Sequence, residues 1–418
     1  MEYHFVIILV ACLIGLFMAW GVGANDLANV MSTTMGSKAI SVRQAMFIAI
    51  IFEFAGAFLG GVHVTDTIRN GIINTQLFTD SPQILAEGML ATLIAGMTWI
   101  IFASTIGMPV SITNSIIGAI IGFGSIVLGV HAIHWHTVQL IAVSWICSPM
   151  IAGLFGYFLF VLVRKTILAA DNPCHNAKKY MPIYFFFVGV VFALMAILRD
   201  LSRLGYKPSF LERSGLIVLT GLVVMLVGRF FSHRIQLEQS ASRHECYSYI
   251  EKLFGILMGF TACTMVFAHG SNDVGVAIGP IIAIVSIMTH QPLFSASHTI
   301  TYGLMAMGCF GVVMGLLMYG RKVIETVGER ITALTPSRAF AATLAAASTV
   351  IFSTSAGIPV SATQTLVGGV LGVGLAKGIG ALNLNVIRNI ILSWLITVPV
   401  CAVLTIFFFY MLKLMSYF

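Results

Sequence analysis

The 418-residue chain predicts an all-α polytopic membrane protein of about twelve transmembrane helices, arranged as two inverted repeats with broken helices at the midplane. Three observations predict it: a composition unsuited to a water-soluble surface, a series of apolar runs of bilayer length, and a set of motifs that occurs twice. Apolar residues make up 58% of the chain and charged residues 9%, with a mean hydropathy of +0.99. Soluble globular domains carry about 25% charged residues, so there is too little polar surface here to coat a soluble body. Forty Gly and unbroken apolar runs suit helices packed in lipid, not the ~10-residue alternating strands of an outer-membrane barrel. The net charge of +7 is spread over the connections, which reads as a topology signal and not as a nucleic-acid surface.

A bilayer core takes about 20 mainly apolar residues per helix. On that measure spans fall near 4–24, 44–62, 84–106, 112–135, 138–163, 182–198, 215–230, 253–273, 299–320, 339–357, 362–381 and 386–412. The runs 27–40 and 274–288 read as further half-helices. The organisation is a first repeat over 1–163, two connecting helices with a cytoplasmic loop over 164–252, and a second repeat over 253–418. No linker is long enough for a soluble domain. With the first helix starting outside, sixteen of the 22 Lys and Arg fall in inner loops and six in outer ones, which puts both termini outside a plasma (inner) membrane. The segment 199–213, with Arg199, Arg203, Lys207 and Arg213, runs against this count. Glu2 and His4 lead straight into the first apolar run, so a cleavable signal peptide is not expected. Cys12, Cys147, Cys174, Cys246, Cys263, Cys309 and Cys401 are scattered without a CxxC and read as free thiols, not as disulfides or metal ligands.

The duplication is explicit. Gly23-Ala24-Asn25-Asp26 ends one apolar span and Gly270-Ser271-Asn272-Asp273 ends another, 247 residues later. Gly107-Met108-Pro109-Val110-Ser111-Ile112-Thr113-Asn114-Ser115 recurs as Gly357-Ile358-Pro359-Val360-Ser361-Ala362-Thr363-Gln364-Thr365. The glycines that follow, Gly118, Gly122 and Gly124, match Gly368, Gly372 and Gly374 at the same spacing, and Ser144-Trp145 is echoed by Ser393-Trp394. Five spans form the first unit, two intervene and five form the second. Equivalent helices are then an odd number of spans apart and point in opposite directions, the ground plan of many secondary transporters.

The repeated residues have a chemistry. An ionisable group at membrane depth costs roughly 2.5–3.5 kcal/mol or more and normally faces a cavity, a partner or an ion. Asp26 and Asp273 are such groups, and Glu53 sits in the middle of the second span. Gly and Pro in the Gly-x-Pro-Val-Ser-x-Thr segments favour a helix break, tolerated in a membrane only where it is buried or lines a cavity. After each break, N–H groups of a new helix and side-chain donors form a neutral cluster suited to an oxyanion. Ser111, Thr113, Asn114 and Ser115 with Ser361, Thr363, Gln364 and Thr365, together with Asn25 and Asn272, are the candidate anion ligands. Beside these the carboxylates of Asp26, Asp273 and Glu53 would repel an anion, so a hard cation such as sodium must enter with it.

These residues resemble the inorganic phosphate transporter family, whose members are sodium- or proton-coupled phosphate symporters. Ala19-Trp20 through Gly23-Ala24-Asn25-Asp26-Leu27-Ala28-Asn29, Gly36-Ser37 and Ile68-Arg69-Asn70-Gly71-Ile72-Ile73 look like its first signature, and Gly270-Ser271-Asn272-Asp273 like its second. The resemblance implies a central phosphate between broken helices, no cofactor beyond sodium as co-substrate, and a homodimer. It also implies functional roles for Asp26, Asp273, Glu53, Ser111 and Ser361. Many relatives carry His where this chain has Asn114 and Gln364, which removes proton coupling through those positions. The competing readings are a proton-coupled phosphate or sulfate permease on the same fold, a channel, and an intramembrane aspartyl protease. The last is disfavoured because each Asp comes with a matching Asn and hydroxyl motif.

Overall fold

The computed structural model describes residues 2–78, 80–198, 209–235, 242–289, 298–320, 323–324, 331, 333–355 and 358–415. Arg199, Arg203, Lys207, Arg321, Lys322, Arg330 and Gly357, used in the charge count and the repeat, lie outside them. In chain order the helices are α1 (Glu2–Val22), α2 (Ala28–Gly36), α3 (Val42–Asp66), α4 (Pro82–Thr105), α5 (Ile112–Val127), α6 (Trp135–Val163) and α7 (Pro173–Leu198). They continue with α8 (Phe210–His233), α9 (Arg243–His269), α10 (Gly275–Met288), α11 (His298–Tyr319), α12 (Pro336–Ser355), α13 (Ala362–Lys377) and α14 (Leu384–Met415). Among the described residues nine continuous helices are long and apolar enough to cross a bilayer. Helices α5, α12 and α13 are shorter or less apolar than these nine.

Several boundaries differ from the sequence expectation: α7 starts at Pro173 and α9 at Arg243, each about ten residues early, and three further differences bear on the site. The Asn-Asp pairs do not end spans: α1 continues into α2 through a π-helical turn at Gly23–Leu27, and α9 into α10 through one at Gly270–Val274. A π turn takes up an extra residue without ending the hydrogen-bond ladder, so 27–36 and 275–288 extend existing helices instead of forming separate ones. The fourth span, expected over 112–135, ends as a helix at Val127, and Gly129 at φ +84° turns the chain. At 16 residues α5 and α13 are each about 24 Å long, shorter than the ~30 Å hydrocarbon core.

The repeated glycines explain how the halves pack. A Cβ on Gly118 or Gly122 of α5 would come within 2.6 or 2.5 Å of the Val398 or Ala402 carbonyl oxygen of α14. On Gly368 or Gly372 of α13 it would lie 2.2 or 1.8 Å from the Pro149 or Gly153 carbonyl oxygen of α6. Each broken helix therefore lies backbone-to-backbone on the last long helix of the other half, as small residues allow. A second reciprocal set ties Gly23 to Val312 and Gly315 to Trp20, and Gly270 to Glu53 and Gly56 to Phe267. Helices α7 and α8 pack against each other, and α8 buries only Gly221 and Gly228.

The cysteine expectation is corrected at one pair. Cys174 and Cys246 form a disulfide that ties the start of α7 to the start of α9. Cys12, Cys147, Cys263, Cys309 and Cys401 are free. The two bonded residues are 72 apart in sequence, and the return of the chain through α8 brings the start of α9 beside the start of α7.

Candidate functional site

The helix breaks fall at the Pro-Val-Ser segments. Ser111 caps α5, accepting from Asn114 N at 3.3 Å, and Ser361 caps α13, accepting from Gln364 N at 3.1 Å. Each cap satisfies one of the orphan N–H groups of a helix start. Ser115 and Thr365 donate back to the Ser111 and Ser361 carbonyl oxygens at 2.8 and 2.7 Å, so these two hydroxyls brace the first turn. All eight side chains from Ser111 to Ser115 and from Ser361 to Thr365 that were singled out are buried.

The two loop tips meet each other and the π turns. Thr113 Oγ1 donates to the Val360 carbonyl oxygen at 3.2 Å, and Asn272 Nδ2 donates to the same oxygen at 2.6 Å. Asp26 accepts from the Thr363 hydroxyl and from Ile112 N, at 3.2 Å for the latter. One carboxylate of the first half thus bonds both broken helices. The π turns are what make this geometry: the extra residue turns Asn25-Asp26 and Asn272-Asp273 toward the neighbouring tips while the helix continues.

The paired residues are not equivalent in their bonding. Asn25 is fully used: Nδ2 donates to Met108 O at 2.9 Å and to Ser104 Oγ at 3.2 Å, and Oδ1 accepts from Val110 N at 2.9 Å. Asn272 keeps a buried Oδ1 with no hydrogen bond. Asp273 accepts from Asn272 Nδ2 at 3.2 Å, and its other oxygen lies 3.6 Å from His269 Nε2. His269 Nδ1 is bonded to both oxygens of Glu53, at 2.8 and 3.1 Å. Glu53, His269 and Asp273 thus form one buried line of charged and titratable groups.

That line is single. Gly270 packs on Glu53 where Gly23 packs on Val312, so Val312 occupies the position related to Glu53, and Val22 the one related to His269. The sequence reading had not assigned His269 to the site. A second unassigned residue is Asn29, buried, with Nδ2 at 3.4 Å from Thr363 O and an unbonded Oδ1; its place three residues after Asp26, at the end of the Gly23–Asn29 signature stretch, was the signal for it. Asn114 and Gln364 instead line an apolar cavity of about 1180 Å³ between α5, α6, α13 and α14, each with an unbonded side-chain oxygen.

Hydroxyl-capped helix starts facing buried carboxylates, on a frame of reciprocally packed halves, are one arrangement running through most of the chain. A model of the phosphate transporter family matches residues 22–405. The chain belongs to the phosphate transporter family. This family member is 43% identical to a Haemophilus influenzae protein named as a phosphate permease, over 99% of this chain and 98% of that one. It is 37% identical to the chloroplastic inorganic phosphate transporter 2-1 of Arabidopsis thaliana, over 95% of this chain and 70% of the relative. Among solved structures it resembles a sodium-dependent phosphate transporter, with a TM-score of 0.86 and 34% identity, covering 98% of this chain and 99% of the other. The family is one of transporters, not enzymes, which removes the protease reading.

Proposed function

We infer that the protein carries inorganic phosphate across the membrane by symport with sodium, through alternating access. The observation that carries this reading is the meeting of two hydroxyl-capped helix starts beside Asp26 and Asp273. The donors of Ser111, Thr113, Ser361 and Thr363 and the adjoining N–H groups suit an oxyanion. Two like charges at ~4 Å repel by ~4 kcal/mol at an effective dielectric near ~20; a cation bound with the anion offsets this. Asp26 and Asp273 are the sodium ligands in this reading, Asn272 adds an unbonded acceptor next to Asp273, and Glu53, both of whose oxygens are on His269, acts on the cation through that ring. The names of the similar proteins supply phosphate and, for the solved structure, sodium dependence.

The reciprocal glycine contacts support two inverted halves, 1–163 and 253–418, hinged on each other around this centre, with 164–252 as the connection. A homodimer in the plasma (inner) membrane with both termini outside completes the proposal. The test is uptake of radiolabelled phosphate into proteoliposomes under an imposed sodium or proton gradient, with unlabelled sulfate as competitor. Sodium-driven accumulation resistant to sulfate is expected. Accumulation driven by protons alone would replace the cation, and accumulation of sulfate would replace the anion.

A further inference from the structure

A second pocket, of about 710 Å³, lies apart from the carboxylate centre, between the α2–α3 turn, the end of α8 and the start of α9. Its lining is divided. Lys38 and Lys252 are exposed basic residues of the lining, and the walls include Phe47, Phe231, Ile256 and Phe260. Among the described residues neither lysine has an ion-pair partner. The neighbouring Glu251 is engaged elsewhere: its two oxygens accept from Ser337 Oγ at 2.8 Å and Ser337 N at 2.9 Å at the start of α12. Lys38 holds φ +57°, a conformation in which glycine is unstrained and a lysine is not. The lysine side chain carried there adds a positive charge to the pocket.

We propose that this pocket binds an anionic phospholipid, its headgroup phosphate held by Lys38 and Lys252 and an acyl chain lying along the aromatic and aliphatic wall. Basic pockets between transmembrane helices recognise lipid headgroups in this way. A free phosphate ion would satisfy the lysines and leave the apolar wall empty. The pocket shares two helices with the carboxylate centre: Ile48 of its lining precedes Glu53 by five residues on α3, and Phe260 precedes His269 by nine on α9. A lipid bridging the α2–α3 turn to α9 therefore braces the two helices that carry the Glu53–His269 bond.

The inference rests on the membrane reading alone, so its test contains no transport step. Purified full-length protein is titrated with phosphatidylglycerol, phosphatidylcholine or inorganic phosphate, and followed by native mass spectrometry and thermal unfolding. Phosphatidylglycerol is expected to remain bound and to raise the unfolding midpoint, with phosphatidylcholine weaker. Removing one charge, by Lys38→Gln or Lys252→Gln, weakens phosphatidylglycerol binding about five-fold, and removing both about thirty-fold; Lys377→Gln, outside the pocket, leaves it unchanged. Lys38→Gly separates ligand from backbone: it raises the midpoint in lipid-free detergent while lowering lipid affinity. Unchanged phosphatidylglycerol binding by the double variant would overturn the assignment. So would a midpoint shift with inorganic phosphate that the double variant loses, which would make the pocket a free-anion site.

Discussion

Asn25 and Asn272 occupy repeat-related positions, yet truncating them should do different things. Asn25→Ala removes three hydrogen bonds, one to Ser104 in the last turn of α4 and two to the loop between α4 and α5, and leaves Val110 N without its partner. Side-chain hydrogen bonds within membrane proteins average about 0.6 kcal/mol and those in soluble proteins about 1 kcal/mol. Three such bonds give about 2–3 kcal/mol, and the unpaired N–H adds about 1 kcal/mol or more. Asn272→Ala loses only the donations to Val360 O and Asp273, about 1–2 kcal/mol by the same reckoning. Its unbonded Oδ1 contributes nothing to the empty fold and is available to a ligand. Thermal unfolding in detergent should therefore show the larger loss for Asn25→Ala. Half-saturation for phosphate or sodium should rise about tenfold for Asn272→Ala, the equivalent of about 1.4 kcal/mol, and change little for Asn25→Ala in the protein that remains folded. Equal stability losses, or an affinity change confined to Asn25→Ala, would refute the division into a positioning and a ligand residue.

Asp26→Asn and Asp273→Asn should each abolish sodium-driven uptake while leaving a folded, monodisperse protein; near-normal uptake by either variant would remove that carboxylate from the cation site. Ser111→Ala combined with Ser361→Ala should cost about 1 kcal/mol per lost cap and raise half-saturation for phosphate, whereas an unchanged half-saturation would exclude both hydroxyls from the anion. Gly372→Ala places a Cβ 1.8 Å from the Gly153 carbonyl oxygen and should destabilise by about 3 kcal/mol through overpacking. Gly303→Ala, in α11 with nothing within 4 Å, should instead stabilise by about 0.5–1 kcal/mol. Thermal unfolding of the two variants side by side checks both signs.

Much of the architecture was legible because it rests on local chemistry repeated along the chain. Apolar runs of bilayer length mark helices, and Gly-x-Pro-Val-Ser marks a break followed by a cap. Glycines at 118 and 122, and at 368 and 372, could be read as a small-residue face, though their partner helices could not. The π turns were not legible: a helix that widens by one residue and a helix that stops both place polar residues after an apolar run, and only the backbone distinguishes them. Nor were the Cys174–Cys246 pair or the Glu53–His269 bond, since each joins helices distant in sequence; only the step from His269 to Asp273, four residues apart on one helix, was within reach of the sequence. Identical motifs also misled in one respect, for they made Asn25 and Asn272 look alike. The sequence by itself determined the apolar helices, the breaks at the two Pro-Val-Ser segments and the buried character of Asp26, Asp273 and Glu53, because those follow from what a bilayer tolerates in one segment. The tertiary structure decided which of those polar groups bond to the protein and which stay open, because that depends on what the opposite half places against them.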